Sequence, residues 1–213
     1  MVYYNLHTHR YTRTEEEVAI HNLIIPPHDE QMPTLSLGER YSCGIHPWHI
    51  GGSEEQRGQM ERLRQLAAHP GVVAIGEAGL DKSINTPLTR QQEVFMEQVR
   101  LSEELRKPLI IHCVKAWQEL IACRKLFPHQ TWIVHGFRGN KILAEQLLRA
   151  GLALSFGEHF QPAAVQAAWP DALFVETDES RTDIRSIYHA LAGALALPEE
   201  LLVQQVSRNF SCF

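Results

Sequence analysis

Two histidines separated by a single residue, His7 and His9, lie in an apolar segment with the composition of a β-strand. Side chains two residues apart on a strand point to the same face. If that face is the interior of the protein, the two imidazoles converge on one point, which is typical of metal ligands. A single pair of this kind also occurs by chance on surface strands, so its weight depends on the rest of the sequence.

The same combination recurs at the ends of four later apolar segments. In each case an imidazole or a carboxylate closely follows a short apolar run; the four residues are Glu77, His112, His135 and Asp178. Each residue alone has a structural explanation, such as a buried histidine with a hydrogen-bond partner or, for Asp178, a helix cap. Because buried ionisable groups without partners cost several kcal/mol each, five such strand ends together indicate bound cations.

The complete set has more ligands than one tetrahedral ion needs, so it predicts two neighbouring divalent cations that share the Glu77 carboxylate. Such a pair activates a bridging water and stabilises both the attacking and the leaving oxygen in phosphodiester hydrolysis. Nitrogen-rich ligation favours zinc, manganese, cobalt or nickel over magnesium. Asp178 and Glu77 are the predicted catalytic residues, and Asp178 is expected to accept a proton from the water. The predicted metal ligands are His7, His9, Glu77, His112, His135 and Asp178.

Eight short apolar runs are the predicted strands that position these residues. Their continuous apolar character is typical of parallel strands covered on both faces. The runs are Val2–His9, Val18–Ile25, Tyr41–His46, Val72–Gly76, Pro108–His112, Thr131–His135, Leu152–Phe156 and Leu173–Glu176. Helical patterns separate most of them, so the predicted fold is an α/β, distorted (β/α)8 TIM barrel that forms a single domain over residues 1–213.

The first connection of this barrel is expected to be short. Only Arg10–Glu17 separates the first two predicted strands, whereas a parallel crossover normally needs a dozen or more residues. A doubly wound open sheet is therefore the structural alternative. Two capping boxes, Ser53 with Gln56 and Thr89 with Gln92, are expected to begin helices.

The composition limits the class of partners. The chain has 213 residues, of which 44% are hydrophobic and 21% charged, and its net charge is −5. These values are typical of a soluble globular protein, and they exclude a large basic surface for duplex nucleic acid. No segment has the length of a membrane span or the pattern of a signal peptide, and the four cysteines show no disulfide or metal spacing. We therefore expect a reduced, cytoplasmic protein without a membrane or an obligate protein partner.

Several motifs together resemble those of the TatD-type metal-dependent deoxyribonucleases and hydrolases. They occur in the order of that family: His7-Thr8-His9, Gly44-Ile45-His46-Pro47, Gly76-Glu77-Ala78-Gly79-Leu80-Asp81, Ile111-His112, His135-Gly136-Phe137-Arg138-Gly139 and Glu176-Thr177-Asp178. The resemblance implies a distorted TIM barrel, two divalent ions (zinc, manganese, magnesium, cobalt or nickel) and hydrolysis by a metal-bridging water. It also implies 3′-to-5′ removal of nucleotides, with single-stranded DNA ends as the favoured substrate.

The same resemblance assigns the predicted ligands to two ions. By position, His7, His9 and Asp178 hold one ion, His112 and His135 hold the other, and Glu77 holds both. The sequence also departs from the family pattern. Asn5 occupies a position where the family usually has aspartate, and Cys113-Val114-Lys115-Ala116 replaces the commoner Ser-Arg-Asp-Ala. These differences alter a contact near the metals and a substrate contact.

Three further residues are candidates for binding substrate phosphate. His46 can approach a phosphate from the third strand, or it can shape the turn before Pro47. Lys115 and Arg138 follow strands that end in predicted metal ligands, where a cationic side chain can hold a phosphate. The alternative for both is an ordinary exposed cation.

Aromatic residues near the same strand ends can stack on nucleobases. The candidates are Trp48, Trp117 and Phe137, although packing in the core or at its rim is the favoured interpretation for these residues. Asp81 either orients a loop beside Glu77 or caps the following turn, and the sequence slightly favours the cap.

Two other functions stay open at this point. An amidohydrolase-type hydrolase of C–N or lactone bonds shares much of the histidine pattern, but that class usually bridges its metals with a carbamylated lysine on the fourth strand. Here that strand carries Glu77, and the nearest lysine is Lys82. The second alternative is a non-catalytic metal-binding relative, which the shortened first connection and Asn5 keep open.

Overall fold

The computed structural model describes residues 1–10, 15–28 and 34–213. In this part of the chain there are eight strands and seven α-helices: one helix lies between each pair of consecutive strands from β3 to β8, and the last two helices follow β8. The strands are β1 Tyr3–Thr8, β2 Glu17–Ile24, β3 Arg40–Gly44, β4 Val72–Asp81, β5 Leu109–Val114, β6 Trp132–Val134, β7 Leu152–Phe156 and β8 Leu173–Val175. The helices are α1 Ser53–Ala67, α2 Leu88–Leu105, α3 Trp117–Leu126, α4 Lys141–Arg149, α5 Pro162–Ala168, α6 Ile184–Leu195 and α7 Glu199–Asn209, with 3-10 turns at Pro47–His49 and Phe210–Cys212.

The strands form one sheet in which their order follows the sequence from β1 to β8. The first and last strands are also neighbours, because Thr8 bridges to Asp178 in parallel and the Asp178 amide donates to the His7 carbonyl oxygen over 2.9 Å. A doubly wound sheet would instead reverse its strand order part of the way along. The predicted (β/α)8 fold class is therefore confirmed.

The strand ladder is irregular at several points. The parallel register between β1 and β2 shifts between Asn5 and Thr8, and the registers of β3 with β4 and of β4 with β5 shift as well. The connection from β1 to β2 runs from residue 9 to residue 16, which is as short as predicted. Part of it, residues 11–14, lies outside the described residues.

The chain divides into two compact units. The first contains residues 1–21 and 133–213, and the second contains residues 22–132. Among the described residues, the core of the first includes Leu6, Phe156 and Tyr188, all fully buried. The core of the second includes Phe95 and Trp132, whose rings meet edge to face with centroids 5.5 Å apart. The expectation of one domain over residues 1–213 stays a prediction.

Both expected helix starts are wrong, by one and two residues. Helix α1 is preceded by Gly52, whose amide donates to the Glu55 carboxylate over 2.7 Å, so the capping partners lie one position before Ser53 and Gln56. Helix α2 begins after Pro87 with no capping side chain, and the Thr89–Gln92 box does not form. A proline with its fixed φ can precede the first turn without a hydroxyl cap. In the described parts of the chain, no helix combines the length and the apolar character that crossing a bilayer requires.

Candidate metal centre

His7 and His9 converge at the end of β1, as their spacing predicts. Their Nε2 atoms lie 3.2 Å apart, and these atoms lie 3.7 Å and 3.5 Å from Oδ1 of Asp178. His7 is fully buried, whereas the side chains of His9 and Asp178 are 28% and 29% exposed. The three groups thus form a pocket of two imidazoles and one carboxylate that opens toward solvent on one side.

The backbone of Asp178 holds its carboxylate in this position. Its φ is 54°, in the left-handed region that residues other than glycine seldom adopt. Hydrogen bonds on both sides fix this conformation: the Asp178 amide donates to His7 O over 2.9 Å, and the His9 amide donates to Asp178 O over 3.3 Å. Backbone strain of this kind concentrates at functional sites. Lys115, just after β5, has a similar φ of 56°.

His135 follows β6 and lies beside the same group. Its ring centroid is 4.4 Å from that of His7, and its Nδ1 is 3.5 Å from Oε1 of the fully buried Glu176. The Gly136 amide donates to the same carboxylate oxygen over 2.6 Å. Burial opposes ionisation of Glu176, but its contacts with His135, His7 and Ser155 outweigh burial and lower its pKa. A charged Glu176 therefore orients the His135 ring, as carboxylates commonly do behind metal-binding histidines.

We refer to these five residues as the His7 cluster: His7, His9, His135, Glu176 and Asp178. The sequence singled out four of them. Glu176 was noted only as part of the Glu176-Thr177-Asp178 motif, and that motif was the signal that could have identified it.

A second group, the Glu77 cluster, contains His46, Glu77, Asp81 and His112. Oε1 of Glu77 lies 3.2 Å from His46 Nε2 and 3.2 Å from His112 Nδ1. The imidazole centroids of His46 and His112 are 4.4 Å apart. The Glu77 carboxylate thus lies between two imidazoles. Because its side chain is only 5% exposed, little water reaches it.

The apolar pattern predicts that β4 ends at Gly76. In the structure the strand continues through Glu77 to Asp81. Two glycines permit this extension. A Cβ atom at Gly76 would collide with the Ile110 carbonyl oxygen, and one at Gly79 would collide with the carbonyl oxygen of His112. Their φ values of 145° and 158° also favour glycine. The close approach of β4 to β5 brings Glu77 and His112 together.

Asn22 holds Glu77 from β2. Its Oδ1 accepts the Glu77 amide over 3.0 Å, and its Nδ2 donates to Glu77 Oε2 over 3.3 Å. The hydroxyl of Ser42 also donates to Asn22 Oδ1, over 3.2 Å. The amide side chain therefore fixes both the backbone and one carboxylate oxygen of Glu77. No sequence motif marked Asn22 for this role.

Asp81 both caps a turn and contacts the cluster, so the two sequence interpretations hold together. It accepts hydrogen bonds from the Ser83 amide and the Trp48 indole, each over 2.7 Å, and its Oδ2 lies 3.3 Å from His112 Nε2. Burial opposes its ionisation, but the hydrogen bonds from Ser83 and Trp48 outweigh it and lower the pKa of Asp81 to about 2. His112 thus has a carboxylate beside each ring nitrogen.

His46 likewise has two roles. Its Nδ1 accepts the Trp48 amide over 3.1 Å and so caps the Pro47–His49 turn, while its Nε2 faces Glu77. Burial lowers the pKa of His46, and the neighbouring Glu77 only partly offsets this effect. Because Nδ1 accepts a hydrogen bond, the neutral imidazole carries its proton on Nε2, and this N–H faces the Glu77 carboxylate. The expected turn-shaping role is therefore present, together with a contact to Glu77.

The other two candidate phosphate contacts differ in their surroundings. Arg138 and Asp178 line the same cavity of about 300 Å³, together with His159 and Glu158. A cationic side chain thus shares a cavity with the carboxylate of the His7 cluster. Lys115 is exposed at the end of β5, and no described contact connects it with either cluster.

Asn5 is a buried structural link. Its Nδ2 donates to Glu17 Oε1 over 2.7 Å and to Thr177 Oγ1 over 2.9 Å, and its Oδ1 accepts the Thr177 amide over 3.0 Å. These bonds tie β1 to β2 and to the segment that carries Asp178. Asn5 thus holds Thr177, the residue that precedes Asp178. The altered contact near the metals that the sequence predicts at this position stays a prediction.

Both clusters have donor sets that fit a divalent cation. In the His7 cluster, ligand atoms of His7, His9 and Asp178 all lie within 4.8 Å of one another, and the same holds for His46, Glu77 and His112. Imidazole nitrogens combined with carboxylate oxygens suit zinc and other first-row transition metals. A bound cation would also compensate the close approach of the buried imidazoles and carboxylates.

A (β/α)8 fold with such clusters near its strand ends is typical of metal-dependent hydrolases. Residues 35–212 match the model of the TatD related DNase family, and the chain belongs to that family. His7 and His9 precede the matched segment. Their inclusion in the site therefore rests on the structure, which places both beside Asp178.

Curated relatives include metal-dependent hydrolases and nucleases. An uncharacterized metal-dependent hydrolase, YcfH of Escherichia coli K12, is 35% identical over 158 residues, which cover 67% of this chain and 57% of the relative. A 3′-5′ ssDNA/RNA exonuclease TatD of Yersinia pseudotuberculosis is 35% identical over 140 residues, covering 59% and 51%. The human 3′-5′ RNA nuclease TATDN2 is 36% identical over 118 residues, covering 54% and 15%. The chain spans about half the length of the bacterial relatives that it matches.

Solved structures of the family share the fold. The Escherichia coli TatD homologue YJJV has a TM-score of 0.69 at 21% identity, covering 82% of this chain and 76% of that one. A TatD family hydrolase of Entamoeba histolytica has a TM-score of 0.70 at 19% identity, covering 81% and 74%. At these identities the likeness concerns the fold, and it agrees with the strand order described above.

Proposed function

We propose that this protein is a metal-dependent phosphodiesterase that removes nucleotides from the ends of single-stranded nucleic acid. The observation that carries the proposal is the convergence of His7, His9 and Asp178, with ligand atoms within 4.8 Å of one another. Two of the relatives described above are named as 3′-5′ nucleases, which supports nucleic acid as the substrate.

In this proposal His7, His9 and Asp178 hold one divalent cation, and Glu77 and His112 contribute to a second. His46 faces Glu77 through its Nε2 and in this arrangement orients the carboxylate. The predicted bridging of both ions by Glu77, and the predicted assignment of His135 to the second ion, stay predictions. When bound, the cations acidify a water and stabilise negative charge on phosphoryl oxygens.

The side chains of the protein supply positioning and proton transfer. Asp178 is fixed by its backbone hydrogen bonds, and its partly exposed carboxylate can accept a proton at Oδ1 or Oδ2. Arg138 lines the same cavity, where its guanidinium can hold a non-bridging phosphate oxygen of the substrate. The neutral His46 imidazole adds no positive charge beside Glu77, which leaves the carboxylate available to a cation.

The amidohydrolase alternative has less structural support. The lysine that would have to bridge the metals, Lys82, donates to the Glu119 carboxylate over 2.7 Å and is 37% exposed. It is therefore engaged at the surface and not in the Glu77 cluster. A non-catalytic metal-binding role would use the same ligands. It is disfavoured because a chain without catalysis would not need to retain the complete set of six.

A substrate panel tests the proposal. The metal-loaded protein is incubated with end-labelled single-stranded DNA, single-stranded RNA and blunt duplex DNA, and in parallel with a dipeptide and a lactone. We expect stepwise shortening of the single strands from the 3′ end, abolished by a chelator and restored by added metal. Turnover confined to the dipeptide or the lactone would favour the amidohydrolase alternative. Tight metal binding without any turnover would favour the non-catalytic one.

A further inference from the structure

The structure distinguishes the three aromatic side chains that the sequence offered as base-stacking candidates. Phe137 is buried and packs edge to face on Phe156, with centroids 5.9 Å apart. Trp117 is half-buried on helix α3. Trp48 is 62% exposed, which is unusual for the largest apolar side chain. Trp48 therefore does not belong to the core, and its ring lies at the rim with one part in solvent.

The exposed indole of Trp48 is nevertheless fixed in place. Its Nε1 donates to the buried carboxylate of Asp81 over 2.7 Å, and its backbone amide donates to His46 Nδ1 over 3.1 Å. The 3-10 turn Pro47–His49 holds the backbone on both sides. Because the side chain is already fixed, it loses little conformational entropy when a ligand stacks on its ring. The anchoring therefore favours binding.

Trp48 also borders the Glu77 cluster. Its ring centroid lies 5.0 Å from that of His46 and 5.9 Å from that of His112, and both pairs are edge to face. Asp81 connects the two features, since its Oδ2 accepts the indole N–H and lies 3.3 Å from His112 Nε2. A ligand on the exposed ring would thus lie beside the imidazole that we propose as a metal ligand.

We propose that Trp48 is a stacking platform for one nucleobase of the substrate strand, next to the bond that is cleaved. This proposal rests on the proposed function, and it specifies the substrate as a strand with an unstacked base. A base in a duplex is covered on both faces, so only a single strand or a frayed end can present one to the indole. Because every base has a π-face, the platform is expected to tolerate any sequence.

Three variants separate stacking from structural effects. Trp48→Ala removes the ring and the indole N–H, whereas Trp48→Phe removes the N–H to Asp81 but keeps an aromatic face. Leu126→Ala removes an apolar side chain of comparable exposure, 71%, from helix α3 of the same unit and serves as the control. Circular dichroism and metal content, measured for each variant, establish that the proteins compared are folded and equally loaded.

The primary measurement is equilibrium binding of a fluorescein-labelled single-stranded DNA oligomer by anisotropy, because it does not require turnover. Stacking on one aromatic side chain predicts that Trp48→Ala binds roughly 5- to 100-fold more weakly. Trp48→Phe should recover most of that loss, and Leu126→Ala should bind like the unmodified protein. Equal defects in the Ala and Phe variants would overturn the proposal, because the loss would then come from releasing Asp81. Binding by Trp48→Ala within twofold of the unmodified protein would also overturn it.

A second measurement locates the base. Oligomers in which a single nucleotide lacks its base are compared at each position from the 3′ end. The unmodified protein should lose affinity at one terminal position, and Trp48→Ala should be insensitive to base removal at that same position. If Trp48→Ala stayed as sensitive as the unmodified protein to base removal at every position, the platform would be contradicted. If the oligomers bind in the expected pattern but none is shortened, the stacking proposal stands and the proposed hydrolysis fails.

Discussion

The amide of Asp178 donates to the carbonyl oxygen of His7 over 2.9 Å, while Oδ1 of Asp178 lies 3.7 Å from Nε2 of the same histidine. The backbone bond belongs to the pairing of β8 with β1, so the sheet itself sets the distance between these two side chains. Replacing the carboxylate by a group of the same size should therefore leave the geometry of the His7 cluster intact. Such a substitution can test the chemistry separately from the fold.

For this reason Asp178→Asn is expected to keep most of the bound metal and to lose turnover. Asparagine preserves one ligating oxygen but lacks the basicity needed to accept a proton, and general-base assistance is worth on the order of 10²- to 10⁴-fold in rate. The measurement is steady-state hydrolysis of a single-stranded DNA oligomer at matched metal content. Asp171→Asn, a change at an exposed position, is the control. Turnover of Asp178→Asn within a few-fold of the control would mean that another group accepts the proton.

Metal stoichiometry should distinguish the proposed ligands. Glu77→Ala is expected to lose about two ions per chain if the bridging role holds, and His112→Ala is expected to lose mainly one. Elemental analysis of proteins purified in parallel and dialysed against trace metal measures both. A loss of one ion in Glu77→Ala would assign this residue to a single cation. Unchanged stoichiometry would exclude it as a ligand.

The low pKa of Asp81 predicts a stability that depends on pH. Since the folded pKa of about 2 lies below the ordinary value of 3.8, the unfolded chain binds more protons between these values. The contribution of the carboxylate is thus complete above about pH 4 and is lost as the pH falls toward 2, and it amounts to roughly 2 kcal/mol. Asp81→Asn should lower the free energy of unfolding of the metal-free protein at pH 7 by this amount. Urea unfolding at several pH values should show the difference shrinking in acid, whereas parallel curves would contradict the assignment.

Restoring the aspartate that the family usually has at position 5 is expected to destabilise this protein. Asn5 Nδ2 donates to the Glu17 carboxylate over 2.7 Å, and Asn5→Asp would replace that donor by a second negative charge. Buried groups mismatched in this way cost on the order of 1–3 kcal/mol. Adding Glu17→Gln supplies a donor again and should recover much of the loss. A double-mutant cycle from urea unfolding measures the coupling, and additive effects would show that the two residues act independently.

The fold and most of the candidate site follow from local sequence patterns. Strand β7, Leu152–Phe156, has the predicted bounds because it is a continuous apolar run between polar flanks. The pairing of His7 with His9 follows from strand geometry alone. The family motifs then indicate which strand ends belong together.

Other features depend on contacts between distant segments. Gly76 and Gly79 resemble a strand end in the sequence, and only their approach to β5 shows why the strand continues. The hydrogen bonds between Asn22 and Glu77 join β2 to β4. The sequence around either residue does not indicate that the other is its partner. Likewise, composition cannot show that the Trp48 ring faces solvent while its N–H is anchored to Asp81.

The pairing of β1 with β8 has a thermodynamic consequence. His7 and His9 come from one end of the described chain and Asp178 from close to the other, so a cation held by all three closes a loop that contains most of the polypeptide. Because these ligands come together only in the folded protein, the cation binds that state and not the unfolded chain. Such a ligand adds to stability in proportion to the logarithm of its concentration over its Kd. The cation that we propose for hydrolysis would thus also hold β1 to β8. Separation of these two strands would require release of the cation. The metal concentration would therefore affect the resistance of the protein to unfolding and proteolysis.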